Sequence, residues 1–264
     1  MKVVILCGGQ GTRLREETEF RPKPLVPIGS RPILWHIMHT YAACGFTDFI
    51  LALGYKGEMI KDYFLNYDLL NTDFTLHLGS KQIERHNVAH DESNWRITFV
   101  DTGQETQTGG RLKRLQSYLR EEPRFMLTYG DGVTDLDVNR VLEFQQRSGY
   151  AAVVTGVHQL PRFGELGVAG DRVEQFQEKP GTVNTWINGG YFVMTPSIFD
   201  YIEGDQTVLE RGPMEQLARD GRLGVYKHDG WWQCMDNVRD MQLLNELWAA
   251  GRAPWVRTSH RKAA

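Results

Sequence analysis

Short apolar runs rich in β-branched residues alternate along this chain with longer amphipathic segments. The apolar runs predict buried strands over 3–6, 49–53, 97–100, 125–129 and 151–157. Apolar residues at helical spacing predict helices over 33–44, 57–64, 111–119, 138–148 and 237–250. A strand followed by a helix, repeated from the N-terminus, is typical of an α/β fold with a mostly parallel sheet and helices on both faces.

One folded domain is predicted for residues 1–264, because a chain of this length can bury a single large core. The segment 66–94 is polar and irregular, and we expect it to form a hairpin or another excursion from the main domain. The tail 259–264 is predicted to fray. No internal repeat or low-complexity tract divides the chain.

Charge and cysteine content narrow the function classes. Lys and Arg total 30 against 33 Asp and Glu, a net charge of −3. Nucleic-acid binding demands a basic surface, so we expect no nucleic-acid partner. Cys7, Cys44 and Cys234 lie far apart, which argues against a CxxC pattern and favours a reduced, cytoplasmic compartment. No apolar run approaches the ~18 residues of a membrane span, so no membrane partner is expected.

The first predicted strand leads into a glycine-rich loop with the sequence GGQGTRL at 8–14. Closely spaced glycines let the backbone approach a ligand and turn its N–H groups toward phosphate oxygens. Arg13 adds a planar guanidinium that suits a phosphate. For the glycines alone, an ordinary tight turn between strand and helix remains the alternative.

Lys23 lies between two prolines, ten residues beyond Arg13. Prolines fix φ and restrict the residue before them, so we expect Lys23 on a stiff, extended backbone that holds its ammonium in one place. The loop is not a Walker motif, which requires GxxxxGK followed by Ser or Thr. It also lacks the third glycine of the dinucleotide fingerprint, because Leu14 stands there.

The glycine loop followed by the PKP sequence at 22–24 resembles the signature of the sugar nucleotidyltransferase family. Within that family, GGRLKR at 109–114, YGDG at 129–132 and WWQCMDNVRD at 231–240 are similar to motifs of the glucose-1-phosphate cytidylyltransferases. The resemblance runs from Met1 to about Pro254 and implies the nucleotidyltransferase fold, a Rossmann-like sheet similar to glycosyltransferase-A. Cys7 departs from the family pattern, which usually has alanine there, and we expect some thiol sensitivity.

Two aspartates are the candidate metal ligands. Asp131 follows a predicted buried strand, and open α/β sheets bind ligands at the carboxyl ends of their strands. The resemblance implies that Asp131 and Asp236 jointly hold Mg²⁺, which accepts one or two carboxylates beside phosphate oxygens and water. Taken alone, Asp131 between glycines is equally typical of a turn, and Asp236 before Asn237 of a helix cap.

The resemblance also implies the substrate contacts. The sugar phosphate would contact Gly164, Glu178, Lys179, Asn188 and Gly189, although the glutamate and lysine are also typical of a surface turn. Arg13, Lys23 and Asp131 would be catalytic. The nucleotide would contact Leu6, Gly8, Gly9, Gln10, Gly11, Thr12, Arg13, Lys23, Thr106, Arg111, Gly130 and Asp131.

The activity implied by the resemblance is cytidylyl transfer from CTP to glucose 1-phosphate, giving CDP-glucose and pyrophosphate for deoxysugar or O-antigen synthesis. Because no side-chain nucleophile is needed, catalysis would rest on positioning and charge neutralisation. Homo-oligomers, hexamers among them, are implied as well, with 66–94 as the candidate contact. Three alternatives stay open: a related transferase using UTP, dTTP or another sugar phosphate, a nucleotide-sensing module with an inactive site, and an oxidoreductase, which Leu14 disfavours.

Overall fold

The computed structural model describes residues 1–86, 91–158, 165–169, 172–177 and 185–256. The strands are β1 Lys2–Cys7, β2 Pro27–Ile28, β3 Arg31–Pro32, β4 Asp48–Leu53, β5 Phe74–His77, β6 Gln82–Arg85, β7 Arg96–Asp101, β8 Phe125–Tyr129, β9 Gly132–Thr134, β10 Ala152–Val157, β11 Glu165–Ala169, β12 Arg172–Gln177, β13 Ile187–Met194, β14 Leu223–His228 and β15 Trp232–Cys234. The α-helices are α1 Arg15–Thr18, α2 Ile33–Ala42, α3 Gly57–Leu65, α4 Tyr67–Asn71, α5 Thr108–Arg114, α6 Gln116–Leu119, α7 Val138–Ser148, α8 Pro213–Arg219 and α9 Val238–Ala249.

A seven-stranded sheet in the order β14, β10, β13, β8, β1, β4, β7 forms the centre of the described chain. β13 runs antiparallel to both of its neighbours, and the other pairs in this sheet are parallel. The predicted α/β fold with a mostly parallel, mixed sheet is therefore confirmed. Because β1, β4, β7 and β8 all run in one direction, their carboxyl ends lie along the same edge.

Two cores cover the two faces of this sheet, as the alternation of side chains along β1 requires. Val3 and Ile5 pack into the first core, with α2, α7 and α9. Val4 and Leu6 pack into the second, with α5, α6 and α8. The predicted helices on both faces are confirmed. Among the described residues, no helix combines the length and apolarity that crossing a bilayer requires.

The segment 66–94 contains α4 and a two-stranded antiparallel hairpin, β5–β6, outside the central sheet. Leu76 pairs with Ile83 and Phe74 with Arg85, so these four side chains share one face of the hairpin. Phe74, Leu76 and Ile83 are each about 40% exposed. The hairpin thus presents an apolar face to solvent in the single chain.

His36 ties the C-terminal segment to the first core. The side chain is 1% exposed, and the indole N–H of Trp255 donates to its Nδ1 at 3.2 Å. An indole can only donate, so Nδ1 is unprotonated and Nε2 donates to the carbonyl of Ile28 at 3.0 Å. Burial lowers the pKa of His36 from 6.5 to about 4. The folded chain therefore holds His36 neutral.

We expect this neutral histidine to make folding stability depend on pH. Above about pH 6.5 the imidazole is neutral in both states and contributes no pH dependence. As the pH falls from 6.5 to 4, only the unfolded chain gains this proton, so the free energy of unfolding decreases, by roughly 3 kcal/mol in full. Urea unfolding of wild type and His36→Gln at several pH values measures it. Between pH 6.5 and 4, the free energy of unfolding of the variant should depend less on pH than that of wild type. An equal pH dependence in the two proteins would contradict the prediction.

Candidate active site

The segments that follow the carboxyl ends of β1, β7 and β8 form the walls of a cavity of about 410 Å³. This edge is where open α/β sheets bind ligands. Most residues predicted to contact the nucleotide line the cavity; Gln10, which is exposed, does not. The lining residues from the prediction are Leu6, Gly8, Gly9, Gly11, Thr12, Arg13, Lys23, Thr106, Arg111, Gly130 and Asp131.

Gly11 and Gly9 of the glycine loop after β1 have different surroundings. Gly11 has φ +64°, and a Cβ there would lie 2.7 Å from the Thr18 methyl carbon. Thr18 also donates its hydroxyl to the carbonyl of Gly11 at 3.0 Å. A Cβ on Gly9 would meet nothing within 4 Å. The backbone at Gly9 is therefore open to the cavity, while that at Gly11 is fixed by close packing.

Arg111 is only 4% exposed and lies beneath the glycine loop. A Cβ on Gly8 would lie 2.2 Å from the guanidinium carbon, so only glycine allows this approach. The guanidinium donates to the carbonyl oxygens of Gly8, Leu53, Gly103 and Gln104 and to the hydroxyl of Thr102. It thereby joins the carboxyl ends of β1, β4 and β7. Nucleotide contact by Arg111 stays a prediction.

Lys23 places its ammonium between two carboxylates. Its Nζ lies 2.7 Å from Oδ2 of Asp131 and 2.9 Å from Oδ1 of Asp236. Arg13 contacts the other oxygen of Asp236 at 2.7 Å, although its own side chain is largely exposed. Four groups that the sequence separates by as many as 223 residues therefore meet at one point.

Burial and charge act in opposite directions on this cluster. Burial lowers the pKa of the Lys23 ammonium, but the Asp131 and Asp236 carboxylates outweigh it and hold that pKa above its ordinary value. Burial likewise raises the pKa of Asp236, but Lys23 and Arg13 outweigh it and hold that pKa below its usual range. The shifts of both Lys23 and Asp236 therefore favour their charged forms.

A small antiparallel sheet brings the two aspartates together. Cys234 in β15 pairs with Gly132 in β9, and the Met235 N–H donates to the carbonyl of Asp131 at 2.8 Å. The side chain of Asn237 caps α9 by accepting from the Asp240 N–H. Because Asn237 is the cap, the carboxylate of Asp236 is left to face Lys23.

The two aspartates also fit a divalent cation. Their carboxylates already converge on one positive atom, and carboxylate oxygen is what Mg²⁺ accepts in proteins. Across the described ranges, no three His, Cys, Asp or Glu side chains form a group that could hold a metal by themselves. Two protein ligands with phosphate and water oxygens completing the shell is the arrangement Mg²⁺ usually takes.

A second cavity of about 220 Å³ adjoins the cluster. Arg13 and Asp131 line both cavities, whereas Asn188, Gly189 and Asp236 line only the second. Trp232 forms another wall and donates its indole N–H to the carbonyl of Gly189 at 2.8 Å. The predicted sugar contacts Gly164, Glu178 and Lys179 lie outside the described residues.

Two expectations about individual residues are wrong. Lys23 is not extended but opens a 3₁₀ turn, Lys23–Leu25, which the Val26 N–H closes on the Lys23 carbonyl at 3.0 Å. Proline is accepted at the start of such a turn because its missing N–H would have no partner there. Cys7 is 1% exposed, and burial raises the pKa of its thiol, so a thiol-sensitive loop is not expected.

Sequence reasoning missed several residues that shape the cavities. Tyr129 lines both, Thr108 the first and Cys234 the second. Tyr129 and Cys234 stand inside motifs quoted above, so their positions next to Gly130 and Asp236 were the available signal. Glu210, which touches both Tyr129 and Thr108, stands in no motif.

The fold and the site define a class: an α/β protein with a glycine-lined cavity and a charged cluster at the carboxyl edge of its sheet. The family model for nucleotidyl transferases matches residues 2–219. The chain belongs to the nucleotidyl transferase family and is an enzyme of that kind.

Curated relatives agree over nearly the whole chain. The glucose-1-phosphate cytidylyltransferase of Salmonella typhimurium is 47% identical over 97% of this chain and 98% of its own. The probable glucose-1-phosphate cytidylyltransferase of Bacillus subtilis is 42% identical over 97% of this chain and 99% of its own. The resemblance seen in the sequence motifs is confirmed.

Solved structures share the fold. HddC from Yersinia pseudotuberculosis superposes with a TM-score of 0.69 at 24% identity, covering 94% of this chain and 99% of that one. A UDP-glucose pyrophosphorylase complexed with UDP-glucose gives a TM-score of 0.66 at 16% identity, covering 95% and 99%. The nucleotidyltransferase fold is therefore confirmed.

Proposed function

We propose that the enzyme transfers a cytidylyl group from CTP to glucose 1-phosphate, giving CDP-glucose and pyrophosphate, as a step in deoxysugar or O-antigen synthesis. The observation that carries the proposal is the meeting of Lys23, Arg13, Asp131 and Asp236 at the junction of two cavities. The larger cavity would take the nucleotide and the smaller one the sugar phosphate. The choice of cytidine and glucose is supported by the names and identities of the curated relatives.

The reaction is a displacement at the α-phosphorus of the triphosphate. A phosphate oxygen of the sugar phosphate attacks, a new P–O bond forms, and the bond to the β-phosphate bridging oxygen breaks, so that pyrophosphate leaves with that electron pair. The protein supplies no nucleophile. Its residues hold the attacking oxygen, the phosphorus and the leaving group in line.

Each charged residue has a role that follows from its place. The open backbone at Gly9 and the N–H groups of the loop face phosphate oxygens. The exposed guanidinium of Arg13, at the junction of both cavities, neutralises the leaving pyrophosphate. Lys23 moves from the carboxylates to the phosphates as these bind. Asp131 and Asp236 would hold Mg²⁺, which neutralises charge near the reacting phosphorus when bound.

Pyrophosphate release from CTP, UTP, dTTP and GTP, each with glucose 1-phosphate, tests the proposal. CTP should give the highest kcat/KM, and turnover should require Mg²⁺. Faster turnover of UTP or dTTP would establish the related transferase instead. No turnover with any triphosphate or sugar phosphate would support a nucleotide-sensing module with an inactive site.

We also propose that copies of the chain associate through the apolar face of the β5–β6 hairpin. Burying Leu76 and Ile83 against another copy would remove apolar surface that a monomer leaves in water. Light scattering should find an oligomer, a hexamer among the candidates, and Ile83→Lys should reduce its mass. Gln82→Lys, on the opposite face, is the matched control. A wild-type monomer would contradict the proposal.

We further propose a cytoplasmic location. The cysteines of the described chain are free, and free thiols are typical of a reducing compartment.

A further inference from the structure

Glu210 connects the two cavities without lining either of them. Its Oε1 accepts the Tyr129 hydroxyl at 2.5 Å, and its Oε2 accepts the Thr108 hydroxyl at 2.7 Å. Tyr129 ends β8 and lines both cavities, while Thr108 begins α5 and lines only the larger one. One carboxylate is therefore hydrogen-bonded to a wall of each cavity.

The loop that carries Glu210 is held firmly against α5. The Gln107 N–H donates to the carbonyl of Asp205 at 2.9 Å, and the Gly110 N–H to that of Thr207 at 3.1 Å. A Cβ on Gly110 would lie 2.3 Å from the Asp205 carbonyl oxygen, so the contact depends on glycine. The backbone thus fixes the position from which the Glu210 carboxylate acts.

A carboxylate can only accept hydrogen bonds, so it sets the direction of both hydroxyl protons. Burial and the Glu210 charge raise the pKa of Tyr129, which keeps its proton in place as a donor. With that proton aimed at Glu210, the Tyr129 oxygen accepts from Nδ2 of Asn188 at 3.2 Å. The Asn188 Oδ1 in turn accepts the backbone N–H of Gly190 at 2.8 Å.

This chain of bonds has only one consistent orientation. The Gly190 N–H is a fixed donor, so the oxygen of the Asn188 amide must face it and the nitrogen must face Tyr129. An asparagine amide has two N–H donors. One is used by Tyr129, and the amide lines the smaller cavity, so the second N–H can donate to a group bound in that cavity.

We propose that Glu210 is a positioning residue that sets hydrogen-bond direction in both substrate cavities, through Tyr129 and Asn188 on the sugar side and through Thr108 on the nucleotide side. The inference rests on the proposed function, because it assigns sugar and nucleotide to these cavities. Glu210 touches neither substrate. It acts by fixing which atoms of the cavity walls donate and which accept.

Glu210→Gln tests the proposal with little change in shape. The glutamine amide offers one acceptor and one donor, so one hydroxyl loses its acceptor and must reverse. If Tyr129 reverses, the Asn188 amide must turn and its nitrogen then meets the Gly190 N–H, donor against donor. We expect KM to rise about tenfold for the substrate whose cavity wall is disturbed, with a smaller change in kcat. A tenfold rise corresponds to the loss of one hydrogen bond to a charged group.

Glu203→Gln is the matched control, since it removes the same charge from an exposed position of the same loop. Its KM values should equal those of wild type. If Glu210 acts on the sugar side through Tyr129, Tyr129→Phe should also raise KM for the sugar phosphate, and adding Glu210→Gln should raise it no further. Tyr129→Phe keeps the ring in place, so this arm remains informative if the glutamine variant unfolds.

The outcomes separate this proposal from the proposed function. The wild type is assayed first, and the pair of substrates that it turns over fastest is used for all variants. No wild-type turnover with any pair contradicts both proposals. Wild-type turnover with CTP and glucose 1-phosphate, but KM values for Glu210→Gln within twofold of wild type, contradicts only the role of Glu210. A fall in unfolding temperature and kcat with unchanged KM shows a merely structural role and overturns the inference.

Discussion

Replacing Lys23 by methionine should lower kcat/KM for pyrophosphate release from CTP and glucose 1-phosphate by about 100-fold or more, the cost typical of losing one preorganised charge at a reacting centre. Methionine keeps most of the aliphatic stem, so packing around the buried side chain is largely retained. The variant loses the ammonium that now lies 2.7 Å from Asp131 and 2.9 Å from Asp236. Steady-state release of pyrophosphate measures the effect.

Lys61→Met is the control for this substitution. Lys61 is exposed on α3 and lines neither cavity, so the same chemical change there should leave turnover unaltered. Circular dichroism of both variants checks the fold. Wild-type kcat/KM in a folded Lys23→Met enzyme would contradict the assignment of Lys23 as a catalytic residue.

Asp131→Asn should lower Mg²⁺-dependent turnover by about 100-fold or more, while the chain still folds. Amide oxygen carries no charge and binds Mg²⁺ more weakly than carboxylate does. The fold should persist, because Lys23 and Arg13 both keep their hydrogen bonds to Asp236. Turnover measured against Mg²⁺ concentration distinguishes a lost metal site from lost nucleotide binding.

The exposed Asp200, which lines neither cavity, supplies the matched control, Asp200→Asn. Its Mg²⁺ dependence should equal that of wild type. If Asp131→Asn kept both the rate and the Mg²⁺ dependence of wild type, Asp131 would not be a metal ligand. If the rate fell but the Mg²⁺ dependence stayed unchanged, Asp131 would act on the substrates without holding the metal.

The parallel part of the fold could be predicted because its strands are buried on both faces. β1, β4 and β8 are almost continuously apolar, and each prediction lay within one or two residues of the observed strand. After β8 and β9, α7 is capped at its start by Asp137, whose side chain accepts from the Asn139 N–H, and at its end by Gly149 with φ +70°. Local chemistry specifies such elements before any tertiary contact forms.

The antiparallel strand β13 could not be predicted in the same way. Its sequence contains Gly189 and Gly190, which weaken a strand pattern and read as a loop. Tertiary packing explains them: a Cβ on Gly190 would lie 2.5 Å from the Tyr129 ring, and one on Gly189 2.7 Å from the side chain of Val157. Glycine is needed there because neighbouring strands carry large side chains against it.

The candidate site likewise has one part that the local sequence predicts and one part that depends on tertiary pairing. Gly11 and Arg13 belong to one loop, and a local motif suffices to connect them with phosphate binding. Asp131 and Asp236 are 105 positions apart in the numbering, and only the pairing of β9 with β15 brings them together. Long-range antiparallel pairing leaves no periodic signal at either position, so family resemblance was the sole route to this pair.

By itself, the sequence determined the parallel sheet and the helices on its two faces, and it predicted the glycine loop with Arg13 and Lys23 as a candidate phosphate site, since each follows from neighbouring residues. The tertiary structure decided where the charges meet. It placed the Lys23 ammonium between two distant carboxylates and buried Arg111 under the glycine loop. It also joined Glu210 to both cavities. The physical reason is that ion pairs and hydrogen bonds depend on distances in space, which residue spacing fixes only within a single helix, strand or turn.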